Sequence, residues 1–311
     1  MLRALSARRS KKRRASASAA VSASGEIAPT ARNWRTALML PHPLFATLVA
    51  DRAALADMSL EALNERRPAI LAACTPPIAF AAQTGALLGD GLHYEQRIAE
   101  RGEIATREGD AHDFFNAMVW LAHAEIKLAM NARQVADISR VGPKRRTRGQ
   151  CALTHFDEAG AIVWIAEPSL LAPWDTHDWT ALFLKHASSW GVTIGVTLVG
   201  HALFEYAIEH EAMPVAKALV VRVDRDALGA RMAGSVALGA WPEAERVVAG
   251  AIAHGDLLAD PQELRPLPLA GIPGWSGVEQ SETFYASAPC FRPLRAGRRY
   301  PPPSAFGEAM M

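Results

Sequence analysis

The stretch from residue 112 to residue 131 constrains this chain most, because thirteen of its twenty residues are apolar. A helix that apolar is buried on most sides, so the chain must build a body large enough to surround it. Its polar residues are not scattered. At about 100° per residue, His112, Asn116, His123 and Lys127 fall within about 60° of one another, with Trp120 on the same edge. A stripe facing solvent usually carries Glu, Lys and Arg. His, Asn and Trp suit a site better, so the stripe reads either as a face on solvent or a satisfied structural network, or as the wall of a functional cleft. The spacing predicts one long helix over residues 112–137, with Asp110 as its cap and a basic loop after it.

The chain of 311 residues leaves room for that body in one large domain or two small ones. No apolar run approaches the ~18 residues of a membrane span. The three cysteines, Cys74, Cys151 and Cys290, are far apart and form no CxxC or Cys/His metal spacing. That pattern fits free thiols in a reducing, cytoplasmic setting. The net charge of +1 hides an asymmetry: residues 1–32 carry eight basic residues against one acid, hence +7, and the rest carries −6. An acidic body is a poor general platform for nucleic acid. Any such partner would have to be met by the basic tail, or by the loop holding Arg140, Lys144, Arg145, Arg146 and Arg148. Residues 1–33 are expected to be a disordered basic tail, dispensable for folding. Their Arg/Ser/Ala composition also fits a targeting segment or a basic arm.

Along the body, residues 34–298 are expected to form a single globular domain, and 299–311 a flexible C-terminal tail. Helices are expected over 44–56 and 59–73, the latter entered at Ser59 and stopped at Thr75-Pro76-Pro77. Residues 94–100 and 103–107 read as a hairpin across Arg101-Gly102. Residues 151–156 and 162–166 read as two strands joined by a turn at Asp157-Glu158-Ala159-Gly160. Helices over 177–190 and 198–210, a strand over 217–224 and a last helix over 243–253 follow. The Pro/Gly-rich remainder after Pro261 is expected to wrap over the body without regular structure. The fold class is α+β, helix-rich, with a small sheet of hairpins.

Several blocks, in order, resemble an uncharacterised bacterial family, the domain of unknown function DUF 3025. They are Thr106-Arg107 with the run from His112 to Trp120; the run from Ala152 to Gly160; Gly200-His201-Ala202-Leu203; Ala216-Lys217-Ala218; and Leu269 to Trp275 with Phe284-Tyr285 and Phe291-Arg292-Pro293. The blocks span most of the body, which supports one continuous unit. The chain has Gln150-Cys151 where the resemblance implies an Arg-Asp pair. The resemblance implies no activity.

The candidate catalytic residues are therefore His112, Asp113, Asn116 and His201, with Arg107 and Trp120 as candidate substrate contacts. Imidazole and carboxylate are general acid–base groups and ligands for a divalent metal. His201 and Glu205 at i, i+4 share a helix face, with Glu209 further along it. Gly200 permits close approach of a backbone or a ligand. Asp113 reads equally as a first-turn carboxylate favoured by the helix dipole. Asp157 and Glu158 are explained by their turn, and Lys217 by a strand end. The absence of HExxH, Walker, GxGxxG and GxSxG patterns removes the easy assignments. Two functions remain: a hydrolase-type enzyme with a His/Asp/Asn cleft, metal-dependent or not, and a non-catalytic binding or scaffolding protein. Convergence of His112 and His201 in one accessible place would favour the enzyme.

Overall fold

The computed structural model describes residues 42–48, 59–209, 213–232 and 234–305. The basic tail and most of the expected 44–56 helix lie outside them; the part described is a single 3₁₀ turn, Pro43–Thr47. The elements in chain order are α1 (Leu60–Glu65), α2 (Ala69–Ala72), β1 (Ala79–Ala82), α3 (Tyr94–Arg101), β2 (Glu103–Thr106), α4 (Ala111–Ala122), α5 (Ala124–Val141) and α6 (Arg148–Ala159). Then follow β3 (Gly160–Ile165), α7 (Leu171–Asp175), β4 (Ile194–Leu198), α8 (His201–Glu209), β5 (Val215–Arg222), α9 (Arg225–Met232), α10 (Pro242–His254), β6 (Arg265–Pro268), α11 (Glu282–Ser287) and β7 (Ser304–Ala305). The fold is α+β and helix-rich, as its sequence patterns require.

The main sheet runs β4-β3-β5-β6, with β7 on β5 beside β6. Every residue of β3 and β4 is buried, the mark of strands covered on both faces. β3 pairs antiparallel with β4 and parallel with β5, in the register Ala161↔Leu198 and Ala161↔Ala218. A parallel pair, β1 and β2, stands apart from it. Around the sheet, α4 packs on α8, and α10 on α5.

Several sequence expectations are corrected. Residues 94–101 form a helix, because the His93 side chain caps its first turn and Gly102 ends it in the left-handed conformation. Arg101-Gly102 is thus a helix terminus, and β2 pairs with the unforeseen β1. The long helix breaks at His123, so α4 and α5 have separate axes. Residues 151–156 are helical, part of α6, because Thr147 and Gln150 form a reciprocal capping box that starts a helix. Asp157 and Glu158 therefore sit in its last turn and not in a hairpin. Residues 177–190 hold only short turns, with His177 at φ 58°. Pro68 splits the 59–73 helix into α1 and α2. β4 was unforeseen, and α8 starts three residues later than 198. The packed chain runs to residue 305, since Tyr300 hydrogen-bonds His177 and β7 joins β5. Ser59 and Asp110 cap their helices as expected.

Candidate functional site

The aromatic packing of α4 on α8 brings the two histidines together. Phe115 stacks on Phe204 with ring centroids 5.6 Å apart, and Phe45 closes on both. His112 and His201 each stand three residues before one of these rings, and i and i+3 share a helix face. The imidazoles accordingly meet edge-on, with Nε2 3.0 Å from Nε2. Glu158, from the end of α6, brings its Oε2 to 3.9 Å from the His201 Nε2. All three donor atoms lie within 4.8 Å of one another. Two donors each ~2.1 Å from a tetrahedral ion are about 3.4 Å apart, so the two measured separations bracket what one ion requires.

The neighbours of the cluster suit the same purpose. Glu205 Oε2 lies 3.0 Å from Nδ1 of His112, the carboxylate–histidine arrangement that directs Nε2 outward as a ligand. The backbone carbonyl of Asp157 lies against the ring of His201. The His201 Nδ1 is sealed from solvent and makes no hydrogen bond of normal geometry. Burial pulls the His201 pKa down to about 4, so its ring is neutral, the state that ligates. For His112 the Glu205 hydrogen bond outweighs burial and raises the pKa. Burial raises that of Glu158. The side chain of His201 is 4% exposed, that of His112 36% and that of Glu158 50%. The cluster is closed behind His201 and open beside Glu158.

A backbone clasp fixes two of these side chains. α6 passes into β3 at Gly160, and β4 passes into α8 at Gly200. The N–H groups of Val199 and Gly200 both donate to the Gly160 carbonyl, at 3.0 and 2.8 Å. A Cβ on Gly200 would lie 2.2 Å from the Gly160 nitrogen and 2.5 Å from Ala159 backbone, so the contact excludes any side chain. The close approach foreseen at Gly200 is made by backbone. Glu158 precedes the clasp by two residues and His201 follows it by one.

The other foreseen residues fall around this centre. Asp113, next to His112 in the chain, is committed to Arg107. Its carboxylate receives Arg107 through two bonds of 2.8 Å and the Arg107 backbone N–H at 2.7 Å. Arg107 thus grips a carboxylate bidentately, but one of its own chain. Asn116 donates to the Tyr94 hydroxyl and accepts from Lys127, both at 3.0 Å. Lys127 is also ion-paired with Asp157. Burial acts to raise the Asp157 pKa, but the charge of Lys127 and its hydrogen bond hold it below the ordinary value. Trp120 is buried beneath Lys127, whose Nζ lies 5.2 Å from the ring. Trp120, Lys127, Asp157 and Glu158 line one polar cavity of about 170 Å³. His123 leaves the stripe altogether, because the helix break turns it to Glu245 of α10 at 3.0 Å. Glu158 was missed as a functional residue. The Thr147/Gln150 capping pair is the signal that would have put it on a helix.

No helix among the described residues is long and apolar enough to cross a membrane. Neither a curated protein nor a solved structure matches this chain. A family model described as a protein of unknown function (DUF3025) matches residues 78–295, a span that includes His112, Glu158, His201 and Glu205. With well over half its length covered, from β1 through the donor cluster to the C-terminal segment, the chain belongs to the DUF3025 family.

Proposed function

We propose that this protein is a metal-dependent, hydrolase-type enzyme whose ion is held by His112, His201 and Glu158. The observation that carries the reading is the 3.0 Å approach of two imidazole Nε2 atoms beside a carboxylate, with Glu205 behind the first ring. His112, His201 and Glu158 would hold the ion, and the chemistry it would supply there is Lewis-acid activation of water at neutral pH. The cluster is open on its Glu158 side, where a substrate would approach it. Two imidazoles and a carboxylate suit zinc and the other first-row divalent ions. Asp113, foreseen as a ligand, is replaced in that role by Glu158. Three free cysteines support placement in the cytoplasm.

Metal analysis of the purified protein and equilibrium dialysis against zinc test this directly. One ion per chain is expected, lost in His201→Ala. Glu205→Gln should weaken affinity by about 10–100-fold while leaving the ligands in place. An unbiased screen of hydrolase substrates with zinc-loaded protein follows. Equal zinc uptake by the parent and His201→Ala would sink the proposal.

A further inference from the structure

Two cavities of opposite character meet at Glu158. The first is the polar cavity already described, with Asn131, Gln134, Gln150 and Thr154 among its walls. Arg145 and Arg146, both exposed, also line it, and neither has an ion-pair partner among the described residues. The buried indole N–H of Trp120, another lining residue, lies near the Tyr94 hydroxyl but makes no hydrogen bond of normal geometry. The second is a largely apolar groove of about 830 Å³, lined by Leu203, Tyr206, Val215, Val278, Phe284 and Ala288 among others. Its volume falls in the range of small-molecule sites, about 300–1,000 Å³. Glu158 is the one described residue that lines both. It is also the exposed donor of the His112/His201 cluster, so both the small polar compartment and the large apolar one reach the cluster through this one side chain.

We propose that the substrate is amphipathic: an apolar acyl chain lies in the groove, a small anionic head group lies in the polar cavity, and the bond joining them is cut beside Glu158. This rests on the hydrolase reading of the cluster. The groove commits to a chain because apolar area gains ~25 cal/mol per Å² on leaving water and the groove offers few polar partners. The cavity has about one fifth of the groove's volume, which limits the head group to a small one. The wall balances Glu95, Asp157 and Glu158 against Lys127, Arg145 and Arg146, and the two arginines, suited to carboxylate and phosphate oxygens, point to an anionic head group. For an acyl amide, a C–O bond forms from water to the carbonyl carbon and the C–N bond breaks. The acyl part leaves as a carboxylate, and the amine takes up the remaining protons as an ammonium group.

The zinc-loaded full chain is assayed with N-decanoylglycine, N-acetylglycine and the uncharged N-decanoylethanolamine. The first is expected to be cleaved with a kcat/KM at least about tenfold above either of the others. N-decanoyl-phosphoethanolamine separates the two kinds of anion, and preference for either charged head supports the proposal. Ala288→Trp should reduce the preference for the long chain about tenfold, and Arg146→Ala the preference for the charged head. Val278→Trp, at an exposed position on the groove, serves if Ala288→Trp does not fold. Zinc-bound protein that is indifferent to chain and charge, or that neither binds nor cleaves these compounds, overturns the substrate assignment while leaving the metal site standing. Conversely, saturable binding of N-decanoylglycine without any zinc uptake keeps the amphipathic ligand and overturns the metal reading.

Discussion

His112 and His201 are 89 residues apart in sequence, yet their ring nitrogens meet because each rides on the same helix face as a stacked phenylalanine. A third histidine shows what a structural imidazole looks like beside them. His123 is fully buried, with Nδ1 between the two carboxylate oxygens of Glu245 at 3.1 and 3.0 Å. Glu245 in turn accepts the Trp241 backbone N–H at the start of α10. This pair joins the α4–α5 break to α10 and belongs to no three-donor cluster among the described residues. His123→Ala is expected to destabilise the protein by about 1–3 kcal/mol, since it leaves a buried carboxylate short of a partner. Urea denaturation measures that loss, and zinc affinity should be unchanged in the folded variant. A His123→Ala protein of parental stability would mean that the pair contributes nothing to the packing of α10.

The elements place the donors through the Gly160–Gly200 clasp. Gly200→Ala forces a methyl group into backbone, so a destabilisation of several kcal/mol is expected, at the large end for single substitutions. Thermal unfolding checks the stability. Where the variant still folds, zinc affinity should fall as well, because His201 follows the altered residue directly. Unchanged stability would show that the two junctions can separate freely. Much of this scale was legible in the chain: the Ser59 and Asp110 caps, the core of β5 and all but the ends of α10 follow from local chemistry. The misreadings share one cause. Arg101-Gly102 serves a hairpin turn or a helix end equally well, and Asp157 through Gly160 spell turn residues at the point where a helix runs into a strand. Gly160 answers to its own helix, since a Cβ there would lie 2.2 Å from the Phe156 carbonyl oxygen and 2.6 Å from its ring. His112 and His201 were each recognisable as polar residues on apolar helices. Their meeting was not, because the stacking of Phe115 on Phe204 is tertiary, and Glu158 was hidden with the helix that carries it.

For the molecule as a whole, Cys74, Cys151 and Cys290 are all free. Thiol titration of the denatured, unreduced protein is expected to find about three reactive groups, and finding one would show a disulfide that the fold does not require. The molecule's stability owes nothing to covalent staples, so its long-range order rests on how β3 and β4 are aligned. Gly160 reaches Gly200 only with Ala161 opposite Leu198. A slip of one residue would shift His201 by about 3.3 Å along the strand direction and reverse every side chain of β4. Coordination tolerates about 0.2 Å. A cation at His112, His201 and Glu158 would therefore be retained only by chains whose central strands had paired correctly, and by mass action it would draw the folding population toward them. The ion would act as a proofreader of strand alignment, favouring the right register before any substrate is met.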